Sequence, residues 1–452
     1  MPKIGFKNSD VEALIEALAL SEKVKPFQVA KRTIFERYGI LGSRKDRILT
    51  AIIYSIYRLQ GILDKAVDHA LGARPLDYNN DPLLRQALRL SAYLAQFDKV
   101  KDPELEAIFL RHGLKYLATK IGWRKARLVY RVFKRLRRNP WKPSNKLEEY
   151  ELTYKVPGFL IASLSRILDT NELRNLLEYI NKKPIYSIRV NTLKASPAEV
   201  LEYLRNKGVK AWRSARLETI IFYEEGFTEA IKELVEKGLA VPQDEASAYA
   251  SILLDPRPGE TIVDLCAAPG GKATHLAELS RNKARIIAFD IYHDRMKRLV
   301  ELAEKTETIV SIEPVLADGR IAYQLLGENK ADKVLVDPPC SSTGALAKHP
   351  DARWRLNLDG LGRLISVQRS LLVSGLRVLR PGGLLLYTTC SLLPEENEEN
   401  IKWLLGEYAG RIEIVELKGP YEESRLLKGA MRAWPHKHKT IGFYYTLIRK
   451  KK

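Results

Sequence analysis

The stretch Glu260-Thr-Ile-Val-Asp-Leu-Cys-Ala-Ala-Pro-Gly-Gly-Lys272 decides the fold of this chain. Thr261 to Leu265 is short, apolar and β-branched, which predicts a buried strand. Small residues follow, then a helical pattern at Ala273, Leu276, Ala277 and Leu279. A strand, a glycine turn and a helix start make a ligand site. Gly270 and Gly271 permit positive φ and close backbone approach, and the helix N-terminus favours an anionic group. Lys272 is a cation where the helix dipole disfavours one, so it needs an anionic ligand or a carboxylate neighbour. A phosphate-binding P-loop is excluded: Cys266 and Ala273 stand where that motif has its first glycine and its Ser or Thr. What remains is a nucleoside-type cofactor with a carboxylate tail, of which S-adenosylmethionine is the obvious one.

Outward from this stretch, strand and helix alternate from about Asp244 to the C-terminus. Strands are predicted at Thr261–Leu265, Arg285–Phe289, Ile309–Ile312, Lys333–Val336, Leu384–Thr388, Arg411–Ile414 and Phe443–Ile448. Helices are predicted at His293–Lys305, Leu361–Val378 and Glu395–Leu405. Such alternation predicts a parallel, doubly wound α/β sheet covered on both faces, with ligands at the carboxyl ends of its strands. Asp290 ends the second strand nineteen residues after Gly271, where a carboxylate accepts from both ribose hydroxyls. Asp318 follows the third strand and is placed for an adenine amino group.

The next informative stretch is Val336-Asp337-Pro-Pro-Cys-Ser-Ser-Thr-Gly344. A strand ending in Asp-Pro-Pro resembles the target-base site of many nucleic-acid methyltransferases. Amino-methylating enzymes usually follow the prolines with an aromatic residue; here Cys340 takes that place. The fifth strand ends Tyr387-Thr-Thr-Cys390-Ser391. With strands four and five adjacent, Cys340 and Cys390 share one carboxyl edge. Two thiols there suit methylation of carbon 5 of a pyrimidine. A thiolate adds to C6, C5 becomes nucleophilic and takes the methyl, a base removes the C5 proton, and the thiol leaves. From position alone either cysteine could attack.

The chain has 452 residues, enough for two or three domains, and its 45% hydrophobic content suffices for packed cores. No apolar run of about 18 residues marks a membrane span. The N-terminal residues lack the apolar run of a signal peptide. Three cysteines and no Cys-x-x-Cys speak against a disulfide framework and for a reducing cytoplasm. With 75 Lys and Arg against 55 Asp and Glu, a net charge of +20 points to a polyanionic partner, most simply nucleic acid.

Apolar residues recur at helical spacing from Val11 to Pro140, which predicts an all-α N-terminal bundle over 1–142. It ends in a basic run, Arg124, Lys125, Arg127, Arg131, Lys134, Arg135, Arg137 and Arg138, with no acid between. Arg131, Lys134, Arg135 and Arg138 are the candidate phosphate contacts. After Pro140-Trp-Lys-Pro143, residues 143–243 read as a small α+β module. It carries strands at Tyr186–Asn191 and Thr219–Phe222 and a helix at Pro197–Lys207. Arg189 and Asn191 on its first strand are further RNA-contact candidates. The third domain spans 244–452.

Together these motifs resemble the Sun/Fmu (Nol/Nop/Sun) family of RNA cytosine-5 methyltransferases. The matching segments are Tyr186-Ser-Ile-Arg-Val-Asn-Thr-Leu-Lys194, Gln243-Asp-Glu-Ala-Ser247, Asp264 to Lys272, Asp290, Asp318, Asp337-Pro-Pro-Cys-Ser341, Thr388-Thr-Cys-Ser391 and Pro394-Glu-Glu-Asn397. The bundle is similar to the NusB-like RNA-binding domain of the bacterial 16S rRNA member. The resemblance implies a Rossmann-like class I methyltransferase domain, S-adenosylmethionine as cofactor, RNA (rRNA or tRNA) as substrate, no metal, and a monomer. It implies Cys390 as nucleophile, with Cys340 assisting product release and Asp337 at the cytosine amino edge. Cofactor contacts carry over to Cys266, Ala267, Ala268, Pro269, Gly270, Gly271, Lys272, Asp290, Arg295, Asp318 and Asp337. The rival readings are an antitermination-type RNA-binding factor with a decayed enzyme domain and an amino-group methyltransferase. The intact Cys340, Cys390 and Asp337 speak against the first, and Cys340 against the second. Where the family usually has an acid before Gly-Phe this chain has Ile441, which leaves the last strand's contribution open.

Overall fold

The computed structural model describes residues 5–24, 27–72, 81–98, 102–224, 228–355 and 357–451. The chain forms two compact units, Met1–Ile161 with His349–Arg355, and Ala162–Lys348 with Leu356–Lys452.

The first unit is all-helical among the described residues, as the 3.6-residue periodicity predicts. Its central helix, Arg44–Leu71, starts at Ser43, whose hydroxyl accepts from Asp46 N–H, and buries Leu49, Ile52, Ile53, Ile56, Ile62 and Leu63. Asp81 with Pro82 and Asp102 with Pro103 open two further helices in the same way. The last long helix, Trp123–Arg138, turns Ala126, Val129, Val132, Phe133 and Leu136 into the core. The segment His349–Arg355 belongs here although it lies far along the chain from the rest of the bundle. The Trp354 ring covers Gly61, where a Cβ would lie 2.1 Å from its Cε3. Trp354 Nε1 donates to the Arg58 carbonyl at 2.9 Å, and buried Arg353 donates to the Lys155 carbonyl at 3.2 Å.

The second unit holds two sheets. The smaller has β1 (Tyr186–Val190), β2 (Ala211–Arg213), β3 (Ile220–Tyr223) and β4 (Ala240–Pro242) in the antiparallel order β2-β3-β1-β4. Ile188 and Val190 pack on Val200, Leu204, Ile231 and Leu234 of two helices on one face. Ile220 and Phe222 face the other way and join the core of the larger sheet.

The larger sheet has β5 (Thr261–Asp264), β6 (Arg285–Asp290), β7 (Ile312–Leu316), β8 (Ala331–Val336), β9 (Leu379–Thr389), β10 (Ile412–Val415), β11 (Glu422–Glu423), β12 (Met431–Ala433) and β13 (Phe443–Lys450). The order is β7-β6-β5-β8-β9-β13-β12-β11, with β10 also on β13. The pairs among β5 to β9 are parallel, while β13 runs antiparallel to β9. Both faces are covered. Ile262, Leu335 and Leu386 pack toward Leu276 and Ala250, and Val263, Val334 and Leu385 toward Leu371, Leu372 and Leu376.

One expectation needs correction. The predicted strand at Ile309–Ile312 starts three residues late, because Ile309–Ser311 is a 3₁₀ turn leading into β7. The second unit holds most of the predicted 143–243 module together with the predicted third domain. Buried polar contacts bind the small sheet to the large one. Asn191 Nδ2 donates to the carbonyls of Gly238 (3.0 Å) and Thr306 (2.9 Å).

Candidate active site

β5 ends at Asp264, and the helix Gly271–Leu279 begins after the glycine turn. Gly270 has φ +105°, and a Cβ there would sit 3.2 Å from Leu299 Cα, so both backbone and packing require glycine. Ala267 N–H donates to the Phe289 carbonyl at 2.8 Å, and Arg295 donates to the Ala268 carbonyl, which fixes the turn against β6. This turn borders a cavity of about 550 Å³ at the carboxyl ends of the parallel strands.

Of the residues expected to hold the cofactor, Cys266, Ala268, Pro269, Asp290, Arg295, Asp318 and Asp337 line this cavity. Ala267, Gly270, Gly271 and Lys272 are not part of its wall and instead shape the turn behind it. Asp290, 4% exposed, accepts from Tyr292 N–H at 3.0 Å and lies 3.4 Å from Arg295. Asp318 is gripped by Arg320 Nε (2.8 Å) and Nη2 (2.5 Å), which holds its carboxyl below the usual range. Lys272 finds the carboxylate its position demands: its Nζ lies 2.5 Å from Asp337 Oδ2. Burial opposes that charge, but Asp337 outweighs burial and raises the Lys272 pKa. Thr388 donates to the other Asp337 oxygen at 3.2 Å.

Adjacent β8 and β9 bring Cys340 and Cys390 together at the same cavity, with sulfurs 3.2 Å apart. The two are free thiols with unequal proton affinities. The hydrogen bond from Cys340 lowers the Cys390 pKa against burial, with Ser342 and Lys272 also lowering it. The same bond and burial push Cys340 well above the ordinary thiol value. These opposite shifts make Cys390 the more acidic thiol of the pair.

Glu396 stands within a quoted motif, but the sequence alone gives it no role. It is fully buried and collects Ser341 N–H (2.9 Å), the Ser341 hydroxyl, Gln368 Nε2 (2.9 Å) and the Ser391 hydroxyl (2.5 Å). Ser341 and Ser391 each directly follow one of the two cysteines, so one carboxylate holds both thiol-bearing loops. The available signal was two Cys-Ser pairs upstream of a single acidic motif. The last strand also contributes. Gly442 N–H donates to the Gly344 carbonyl at 2.9 Å, Gly344 N–H to the Cys390 carbonyl at 2.9 Å, and the Phe443 ring lies 5.4 Å from Lys272 Nζ.

The expected RNA contacts divide. Arg189 and Asn191 are fully buried, which corrects their assignment to an RNA surface. Arg189 pairs with Glu278 and donates to Gln243 Oε1 (2.7 Å) and Thr274 Oγ1 (3.2 Å), joining β1 to the helix after the glycine turn. Arg131, Lys134 and Arg138 are exposed on the helix Trp123–Arg138. Arg135 Nη1 instead donates to the Ala70 carbonyl at 2.6 Å and caps the end of Arg44–Leu71. No described helix is long and apolar enough to cross a membrane.

Residues 251–449 match the family model described as 16S rRNA methyltransferase RsmB/F, and residues 156–228 match the ferredoxin-like domain of RsmF/B-like methyltransferases. A probable ribosomal RNA small subunit methyltransferase B from Synechocystis is 30% identical over 89% of this chain and 91% of its own length. The ribosomal RNA small subunit methyltransferase B of Shewanella oneidensis is 28% identical over 92% and 93%. The crystal structure of PH0851 superposes with a TM-score of 0.89 at 40% identity, covering 99% of this chain and all of that one. A methyltransferase homolog from Pyrococcus horikoshii gives 0.59 at 30% identity, covering 68% of this chain and all of its own. With the fold, the paired thiols and a full-length relative in agreement, this chain belongs to the RsmB/F (Sun/Fmu) family of 16S rRNA methyltransferases.

Proposed function

We propose that this protein methylates carbon 5 of a cytosine in small-subunit ribosomal RNA, using S-adenosylmethionine. What carries the reading is the thiol pair, 3.2 Å apart and facing the cavity that Asp290, Asp318 and Asp337 line. The cavity suits this cofactor. Asp290 offers a carboxylate for ribose hydroxyls, and Ile291 and Tyr292 offer apolar surface beside it. When bound, S-adenosylmethionine supplies an electrophilic methyl group. Cys390 adds as thiolate to C6, forming an S–C bond and making C5 nucleophilic. Asp337, held by Lys272 and Thr388, accepts from the cytosine amino group and orients the ring. After methylation a base takes the C5 proton, and the electrons of that C–H bond expel Cys390 from C6 as thiolate. Once Cys390 is bound to C6 its charge no longer opposes ionisation of Cys340, which can then lose its own proton to water and serve as that base. The relatives named for the small ribosomal subunit, matched nearly end to end, favour rRNA over tRNA.

The two thiol roles differ in what accumulates. Cys390→Ala should be inactive and form no RNA adduct. Cys340→Ala should be nearly inactive yet trap an RNA-linked species that survives a denaturing gel run with substrate RNA and cofactor. A retarded band with Cys390→Ala alone would reverse the assignment. A band with neither variant would take elimination away from Cys340 and give it to Asp337 or water.

A further inference from the structure

We infer that the outward face of the helix Trp123–Arg138 binds unpaired RNA, with bases stacked on Trp123 and Tyr130 and phosphates on the cations between them. The inference rests on the reading that the substrate is RNA. It concerns the helical unit alone.

The helix points five apolar side chains inward, and Trp123, Arg127, Tyr130, Arg131, Lys134 and Arg138 share the opposite face. Trp123 is 63% exposed and Tyr130 40%. They stand seven positions apart, so they project in nearly the same direction about 10 Å apart. Folding leaves these two rings in water, and a merely solvated charged face has no use for them. The cations are as informative. Of eight on this helix, Lys125 pairs with Asp81, Arg137 with Glu106, and Arg135 with the Ala70 carbonyl. Arg124, Arg127, Arg131, Lys134 and Arg138 have no acidic partner among the described residues. Lys134 Nζ lies 5.3 Å from the Tyr130 ring centroid, where it would meet the phosphate flanking a stacked base. The helix also starts badly for its own stability. Its first turn carries cations, no acid and no side-chain cap, an arrangement that an incoming phosphate relieves. Aromatic faces interleaved with cations fit single strands, because paired bases have no free face to stack.

The test uses the full chain without cofactor, titrated into a fluorescein-labelled single-stranded RNA oligonucleotide and a hairpin duplex of equal length. Trp123→Ala with Tyr130→Ala should weaken single-strand binding by about 10-fold or more, leave duplex binding unchanged and keep the salt slope. Trp123→Phe with Tyr130→Phe, which keeps the rings, should restore most of the affinity. Arg127→Gln, Arg131→Gln, Lys134→Gln and Arg138→Gln together should lower the log–log salt slope by about 0.7 for each phosphate these cations neutralise in the wild type. Unchanged single-strand affinity in the alanine variant overturns the inference and leaves a protein-docking or solvated face. An equal loss for duplex overturns it too, as does failure of the wild type to bind the oligonucleotide. Calorimetry with S-adenosylmethionine separates the two readings. Cofactor binding without this RNA face sinks the inference alone, and RNA binding without cofactor binding sinks the methyltransferase reading alone.

Discussion

Two thiols 3.2 Å apart cannot both ionise readily, so the first proton to leave decides the nucleophile. The bond from Cys340 favours that loss at Cys390 and opposes it at Cys340. Alkylation by iodoacetamide, resolved by site with mass spectrometry across neutral to alkaline pH, should therefore mark Cys390 first. Its inflection should fall below that of an ordinary thiol, and Cys340 should react only at much higher pH. In Cys340→Ala the donor is gone, and the Cys390 inflection should move up; an unmoved inflection would deny the coupling. Both cysteines and Asp337 stand out in the sequence because they follow strand ends in the unusual runs Asp337-Pro-Pro-Cys340 and Thr388-Thr-Cys390. Glu396 is not, because an acid at a helix start is ordinary and nothing local reveals that two distant serines converge on it. Arg189 misleads for a related reason. Strand alternation assigns a residue to one of two faces, and no local signal says which face meets solvent.

At the scale of elements, the loop after β8 and the strand β13 meet backbone to backbone. A Cβ on Gly344 would lie 2.1 Å from the Gly442 carbonyl oxygen and 2.8 Å from that of Cys390. Gly344→Ala should destabilise the protein by about 1–3 kcal/mol, the usual cost of forcing atoms into a filled site. The loop that carries Cys340 must shift with it, so methyl transfer should fall further than stability alone explains. Denaturant unfolding and initial rates on the same preparations check both statements. Long or strongly patterned elements such as β5, His293–Lys305 and β8 are readable, since burial on one or both faces writes itself into the residue pattern. The short strands Ala211–Arg213, Ala240–Pro242 and Met431–Ala433 are not. Three residues cannot display a period of two, and these exist only because a neighbouring strand offers its edge.

For the whole molecule, the parallel-sheet class and the helical N-terminal part follow from periodicity. The buried polar contacts that fasten the small sheet to the large one do not, because they join residues far apart in the chain. Arg189→Ala leaves Glu278, itself 3% exposed, without its cation. It should lower the unfolding free energy by about 3–5 kcal/mol, as expected when one member of a buried pair is removed. Chemical denaturation followed by tryptophan fluorescence measures this, and a loss under about 1 kcal/mol would mean that the small sheet is only loosely attached.

The segment His349–Arg355 has a consequence for heredity. Most appended domains are joined by one linker and can be gained, lost or exchanged in a single recombination. Here a tryptophan encoded in the reading frame of the catalytic part completes the packing around Gly61 of the helical part. A fragment ending at Ile161 would lack its plug, and a foreign bundle grafted in its place would meet a Trp354 with no groove to receive it. The two parts are bound to descend together, and the substitutions they accept at Gly61, Arg58 and Trp354 should be correlated between lineages.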